Sequence, residues 1–285
     1  MKNKHLKNIL GLLFATFLVS TSGALGKYID MPSEVIIFFR SVLAALFLFI
    51  FCKIKKENIP IKSKKHYVPF VVSGIFTGAH WITYFYALKM SNVAIGMLSL
   101  YTFPVMVAFL EPVFLKLKFD PMNIVLAVLV LLGVYVLSPD FNIESTTVQG
   151  ILFGLLSALF YTIRILILKQ YVSEYSGIVL MLYQTIVIAV CLSPILFFMD
   201  ISGLQTQWPY IGLLALVTTA IGHSLLVHSL QFFSASTTSI ISSAQPIFGI
   251  IIAFFFLTEI PTINTYIGGG LILATVIIES VRSKK

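Results

Sequence analysis

Long apolar runs alternate along the chain with short polar breaks. A hydrocarbon core of about 30 Å takes roughly 20 helical residues at about 1.5 Å each. Runs of that length are residues 8–28, 33–52, 67–89, 92–115, 122–138, 148–170, 177–198, 209–230, 235–257 and 263–281. Some breaks are strongly polar, such as KKENIPIKSKKH after the second run and SPDFNIEST after the fifth, whereas KMSN after the third is only a tight turn. The pattern predicts an all-α polytopic membrane protein of ten transmembrane helices, with no separate soluble domain. The basic MKNKHLK before the first run imitates a secretory signal, but the run is long for one and has a counterpart later in the chain.

That counterpart belongs to an internal repeat. An ungapped offset of 142 residues lays YALKMSNVAIGMLSLYTFPVMVAF (86–109) over HSLQFFSASTTSIISSAQPIFGII (228–251), matching Pro104 with Pro246 and Leu88 with Leu230. The same offset places Lys27 over Lys169 and Gly78 over Ala220. The expected repeats are residues 1–141 and 142–285. Five helices per half is an odd number, so the second copy enters the membrane from the opposite side. Inverted repeats of this kind put a binding site at their interface and expose it to alternate sides by rocking. One chain holding both repeats needs no second copy to form such a site.

Composition strengthens the membrane reading. Hydrophobic residues make up 58% and charged residues 11%, a balance no soluble domain with a polar surface could keep. With the N-terminus inside, basic residues outside the spans divide 15 to 2 in favour of the cytosolic segments, which predicts two cytosolic termini. The net charge of +8 then reflects topology and attraction to anionic headgroups rather than nucleic acid. A bacterial cytoplasmic membrane fits, as does an archaeal one. Cys52 and Cys191 share no metal-ligand spacing, and neither metal nor cofactor is expected. There is no Walker lysine loop, HExxH or GxSxG, so the chain does not read as an enzyme; a passive channel is the main alternative to a carrier, and a membrane-embedded transferase the lesser one.

Polar residues inside the spans mark the candidate site. His80 and Tyr84 are four apart and share a helix face, with Trp81 on the next stripe, and His223 falls on Trp81 under the offset. His228, Gln184, Gln231 and Gln245 add to a polar cavity, for which Tyr101, Tyr161 and Tyr183 would supply rings for a small amphipathic substrate. Many intramembrane histidines and rings serve only packing, and histidine's capacity to carry a coupling proton is a possibility the sequence leaves open. Arg40 and Arg164 fall inside runs, and Arg164 joins His80, Trp81, Tyr84, Tyr101, Tyr161, His223 and Gln245 to make eight candidate substrate-binding residues. By depth Arg164 could pair with Glu111 as a gate, or Glu111 could extend to the interface beside Lys116 and Lys118. Pro104 and Pro246 should kink their helices as moving parts, and Gly74/Gly78 and Gly150/Gly154 have the spacing of close helix contacts.

The stretches ALKMSNVAIGMLSLYTFPVMVAFLEPVF and SLQFFSASTTSIISSAQPIFGIIIAFFFLTE resemble the EamA-type domain of the drug/metabolite transporter superfamily in two tandem copies. FFRSVLAALFLF in the second run and GILFGLLSALFYT opening the second half extend the resemblance over nearly the whole chain. It implies a ten-helix carrier of a small-molecule substrate, often an exporter of amino acids or other metabolites, with a central cavity. Family members often carry a glutamate thirteen residues after the helix proline. Glu259 matches from Pro246, but Leu117 occupies that place after Pro104, and the acid stands at Glu111, opposite Ala253.

Overall fold

The computed structural model describes residues 2–115, 121–137 and 142–282. The first half comprises α1 (Lys2–Tyr28), α2 (Ser33–Lys55), α3 (Tyr67–Met90), the short α4 (Val93–Leu100) continued by α5 (Phe103–Leu115), and α6 (Met122–Leu137). The second comprises α7 (Thr146–Lys169), α8 (Gly177–Leu192), α9 (Leu204–Leu213), a π-helical stretch Leu214–His223 running into α10 (Ser224–Ser229), α11 (Ala235–Ile241) with α12 (Ala244–Leu257), and α13 (Ile263–Arg282). Every apolar run is helical. Eight of these segments are long and apolar enough to cross a membrane, counting described residues, and Ile124–Leu137 is a shorter apolar helix.

The fourth and ninth spans are broken rather than kinked. Pro104 is the second residue of α5 and Pro246 the third of α12. Proline offers no N–H to the preceding turn and its ring crowds it, so the ladder stops; proline then sits comfortably in the first turn of the helix that follows. The gaps fall at Tyr101–Thr102 and Ser242–Ser243, nearly the repeat offset apart. Tyr101 and Gln245 are left at the two breaks, facing inward.

Side-chain contacts obey the same offset. The Lys27 ammonium donates to the carbonyls of Leu88 (2.8 Å), Lys89 (3.2 Å) and Ser91 (2.8 Å), and Lys169 donates to those of Leu230 (2.7 Å) and Phe233 (2.8 Å). Leu88 and Leu230, like Ser91 and Phe233, are 142 apart. Each lysine thus satisfies the orphan carbonyls at the end of a helix from its own half. Packing follows suit: α3 lies along α7 while the π stretch and α10 lie along α1, and the equivalent pair α6 and α13 meet each other. The halves are two inverted five-helix repeats.

Connections segregate to two faces. On one, Lys89 donates to the Met31 carbonyl and Glu259 accepts from the Val93 N–H (2.8 Å). On the other, Lys62 donates to the Glu174 carbonyl, His66 bonds the Tyr175 hydroxyl (2.8 Å), and the His5 ring meets Phe233. Small residues allow the close approach between helices. A Cβ at Gly74 would sit 2.6 Å from that of Val187 on α8, and one at Gly154 would sit 2.5 Å from that of Ser99 on α4.

Candidate functional site

α1, α2, α3, α7, the π stretch and the two helix breaks converge on one polar cavity. Its lining includes Ser22, Arg40, His80, Trp81, Tyr84, Tyr101, Tyr161, His223 and Gln245, closed off by Val19, Leu100 and Phe103. Seven of the eight candidate binding residues therefore meet here. Trp81 and His223, equivalent in the two repeats, face each other with ring centroids 5.4 Å apart, as residues beside a pseudo-two-fold axis must. The volume is about 20 Å³, room for about one water.

Local bonds fix most of the side chains. Ser157 has one hydroxyl proton and donates it to the His80 carbonyl (2.9 Å), so its oxygen accepts from His80 Nδ1 at 2.7 Å. That selects the tautomer and orients the ring against Tyr161, 4.8 Å away, and Tyr84, 6.2 Å away. The Tyr101 hydroxyl donates to Gln245 Oε1 at 2.8 Å, joining the two helix breaks across the cavity.

Arg164, the eighth candidate, lies behind this wall. Its Nε and Nη2 donate to Gln184 Oε1 at 3.2 and 3.0 Å, Nη2 also contacts Met181 Sδ at 3.1 Å, and the guanidinium lies 5.4 Å from the Tyr161 ring centroid. The ion pair with Glu111 suggested by their depths is not formed, because Arg164 turns toward α8. Glu111, half-buried on α5, instead lies within electrostatic reach of Lys169, just as Glu259 lies within reach of Lys27. An acid from the opposite half thus attends each capping lysine, although the two acids occupy different sequence positions. Lys116, Leu117 and Lys118 lie outside the described residues.

Other polar candidates fall elsewhere. His228 and Gln231 are exposed at the end of α10, with His228 edge-on to Phe232, and Tyr183 donates to the Ile59 carbonyl and stacks on Phe70. Gln184 is committed to Arg164.

Arg40 and Ser22 are lining residues that sequence reasoning passed over. A signal for each was present. An arginine amid twenty apolar residues costs on the order of 2.5–3.5 kcal/mol to insert and needs a use. Ser22 lies 142 residues before Arg164, so the repeat itself pointed to it. Arg40, 1% exposed, donates from Nε to Thr219 Oγ1 at 2.6 Å, and its guanidinium carbon lies 3.9 Å from the Trp81 ring centroid. Thr219 is presented by the π stretch, where its hydroxyl also donates to the Leu214 carbonyl five residues back (3.2 Å). Such π segments often occur where a helix presents groups to a site.

The EamA-like transporter family model matches the chain twice, at residues 6–138 and 148–281. The chain belongs to the EamA-like transporter family. Among curated relatives, the "Uncharacterized transporter YxxF" of Bacillus subtilis is 24% identical over 96% of this chain and 89% of its own length. The "Pseudopaline exporter CntI" of Pseudomonas aeruginosa is 23% identical over 97% of this chain and 96% of its own. A solved crystal structure covering 98% of both chains superposes with a TM-score of 0.72 at 14% identity, which speaks to the fold alone. This EamA-family protein is accordingly an integral membrane transporter, and its two family units meet at the cavity.

Proposed function

We propose that this EamA-family protein is a secondary carrier that exports a small metabolite by alternating access around the central cavity. The observation that supports this most directly is the meeting of Trp81 with His223, which makes the cavity common to both repeats. A site on the axis of two inverted halves is the one place that rocking can open to either side in turn. In the present conformation its volume admits about one water, which suits an occluded carrier better than a conducting pore. The transporters named as exporters among the relatives support outward movement. The excess of lysine and arginine on one set of connections supports a cytoplasmic-membrane protein with both termini inside.

The reading has a direct test. In a background with Cys52 and Cys191 replaced, Ser22→Cys places a thiol on the cavity wall. In right-side-out and inverted vesicles, a membrane-impermeant maleimide should reach it from both faces, and cross-linking that locks one face should abolish labelling from that face only. Labelling from a single face under all conditions would reject alternating access.

A further inference from the structure

The cavity is polar but one-sided in charge. Among its described lining residues there is one guanidinium and there are two imidazoles, and no carboxylate. Arg164 stands one side chain behind, and no carboxylate contacts either guanidinium among the described residues. Burying an arginine is costly unless its charge and its N–H groups are answered. Arg164 has its answer in Gln184, Met181 and Tyr161. Arg40 has Thr219 on Nε, the face of Trp81 and, at 5.9 Å, the ring of Phe85, and its Nη2 is buried with no acceptor. The indole Nε1 of Trp81, a donor that cannot accept, is buried without an acceptor as well. Nδ1 of His223 in the same lining is unpartnered too, but Arg40 Nη2 and Trp81 Nε1 can only donate, and the guanidinium is stacked on the ring that carries the other donor.

We propose that Arg40 and Trp81 form the anion-recognising corner of the substrate site, and that the transported solute carries a carboxylate or equivalent oxyanion bound by Arg40 Nη2 and Trp81 Nε1. An anionic oxygen is the one ligand chemistry that satisfies both donors and the charge at once. Ammonium and neutral amide heads fit worse, the first repelled by the guanidinium and the second unable to neutralise it. Thr219 on the π stretch takes up Nε of Arg40 at the cavity wall, and Nη2 is left without an acceptor. The inference rests on the central-cavity reading and adds to it the charge of the cargo.

The chain has two tryptophans, Trp81 in the cavity wall and Trp208, exposed at the start of α9. In full-length protein carrying Trp208→Phe, fluorescence reports on the cavity alone, and three small quenchers probe it without knowledge of the natural solute: iodide, caesium and acrylamide. Lifetime-corrected quenching constants should favour iodide over caesium by about tenfold, the scale on which a charged cleft concentrates counter-ions. Arg40→Gln should remove that preference and Arg40→Lys should retain much of it, with a single size-exclusion peak confirming that each variant is folded. Equal quenching by iodide and caesium, with acrylamide reaching Trp81, would overturn the anion assignment and leave the central cavity standing. Failure of acrylamide to reach Trp81 at all would remove the accessible cavity and the assignment together. An iodide preference that survives Arg40→Gln would overturn the role of Arg40.

Discussion

The two halves each bury one arginine near the cavity, and the two are treated differently. Arg164 on α7 is bound by Gln184 through two N–H groups, touches Met181 and lies beside Tyr161. Arg40 on α2 is held by one threonine and stacked on Trp81, with Phe85 farther off, and its Nη2 has no acceptor. They are not repeat equivalents, since the offset relates Arg164 to Ser22 and Arg40 to Leu182. The frame is symmetric and the charges are not: one arginine is bonded into the wall, and the other keeps a buried Nη2 without an acceptor. A buried donor left without an acceptor carries a desolvation cost that a bonded one does not, and that difference separates Arg40 from Arg164.

The largest effect should follow Arg40→Gln. Removing one member of a buried charge pair costs about 2–5 kcal/mol, so binding of an anionic solute, read as protection of Trp81 from iodide, should weaken thirtyfold or more. Arg164→Gln should act on the fold instead, lowering unfolding free energy by about 1.5–3 kcal/mol through loss of charge-assisted bonds and weakening binding far less. Thermal midpoints in detergent set against binding curves would separate the two, and equal loss of binding in both variants would erase the distinction.

Symmetry itself can be tested a step lower in energy. Lys27→Met and Lys169→Met each leave helix-end carbonyls unanswered, and each should cost about 1–3 kcal/mol, the two agreeing closely because they cap equivalent ends. A twofold disparity in the shift of thermal midpoint would show that the caps are alike in geometry but not in strength. Gln245→Leu should be the mildest, about 0.5–1.5 kcal/mol for the bond from Tyr101, with a visible effect on stability of the joined helix breaks.

Much of the frame was legible because membrane insertion enforces apolar length and duplication enforces offset. The ten runs coincide with the helical segments to within a few residues at most ends, and Lys27 and Lys169 are aligned by sequence and bonded alike in space. His80, Trp81, Tyr84 and His223 could be gathered because helical spacing and the offset relate them. Tertiary choices were harder. Whether Arg164 turns toward Glu111 or Gln184 depends on rotamers and on α8, which no spacing along α7 encodes. The π stretch Leu214–His223 leaves no mark in the apolar period, although it places Thr219 against Arg40. Depth alone directed Glu111 to Arg164 or to the interface, whereas its field falls on Lys169 from a different helix position than the one Glu259 uses.

The cavity's missing carboxylate has an electrical meaning. For a monoanionic cargo, one complete cycle carries one elementary charge across the membrane, worth about 2.3 kcal/mol per 100 mV, and no arrangement of arginines alters that total. If Arg40 binds that cargo, what it decides is which half of the cycle feels the voltage. With its charge cancelled by cargo, the loaded carrier crosses with one fewer unit of positive charge, and the empty carrier returns bearing that unit. If the proposed anion is exported from a cell whose interior is negative, the returning positive site would be drawn inward, and the membrane potential would reset the carrier rather than push its load.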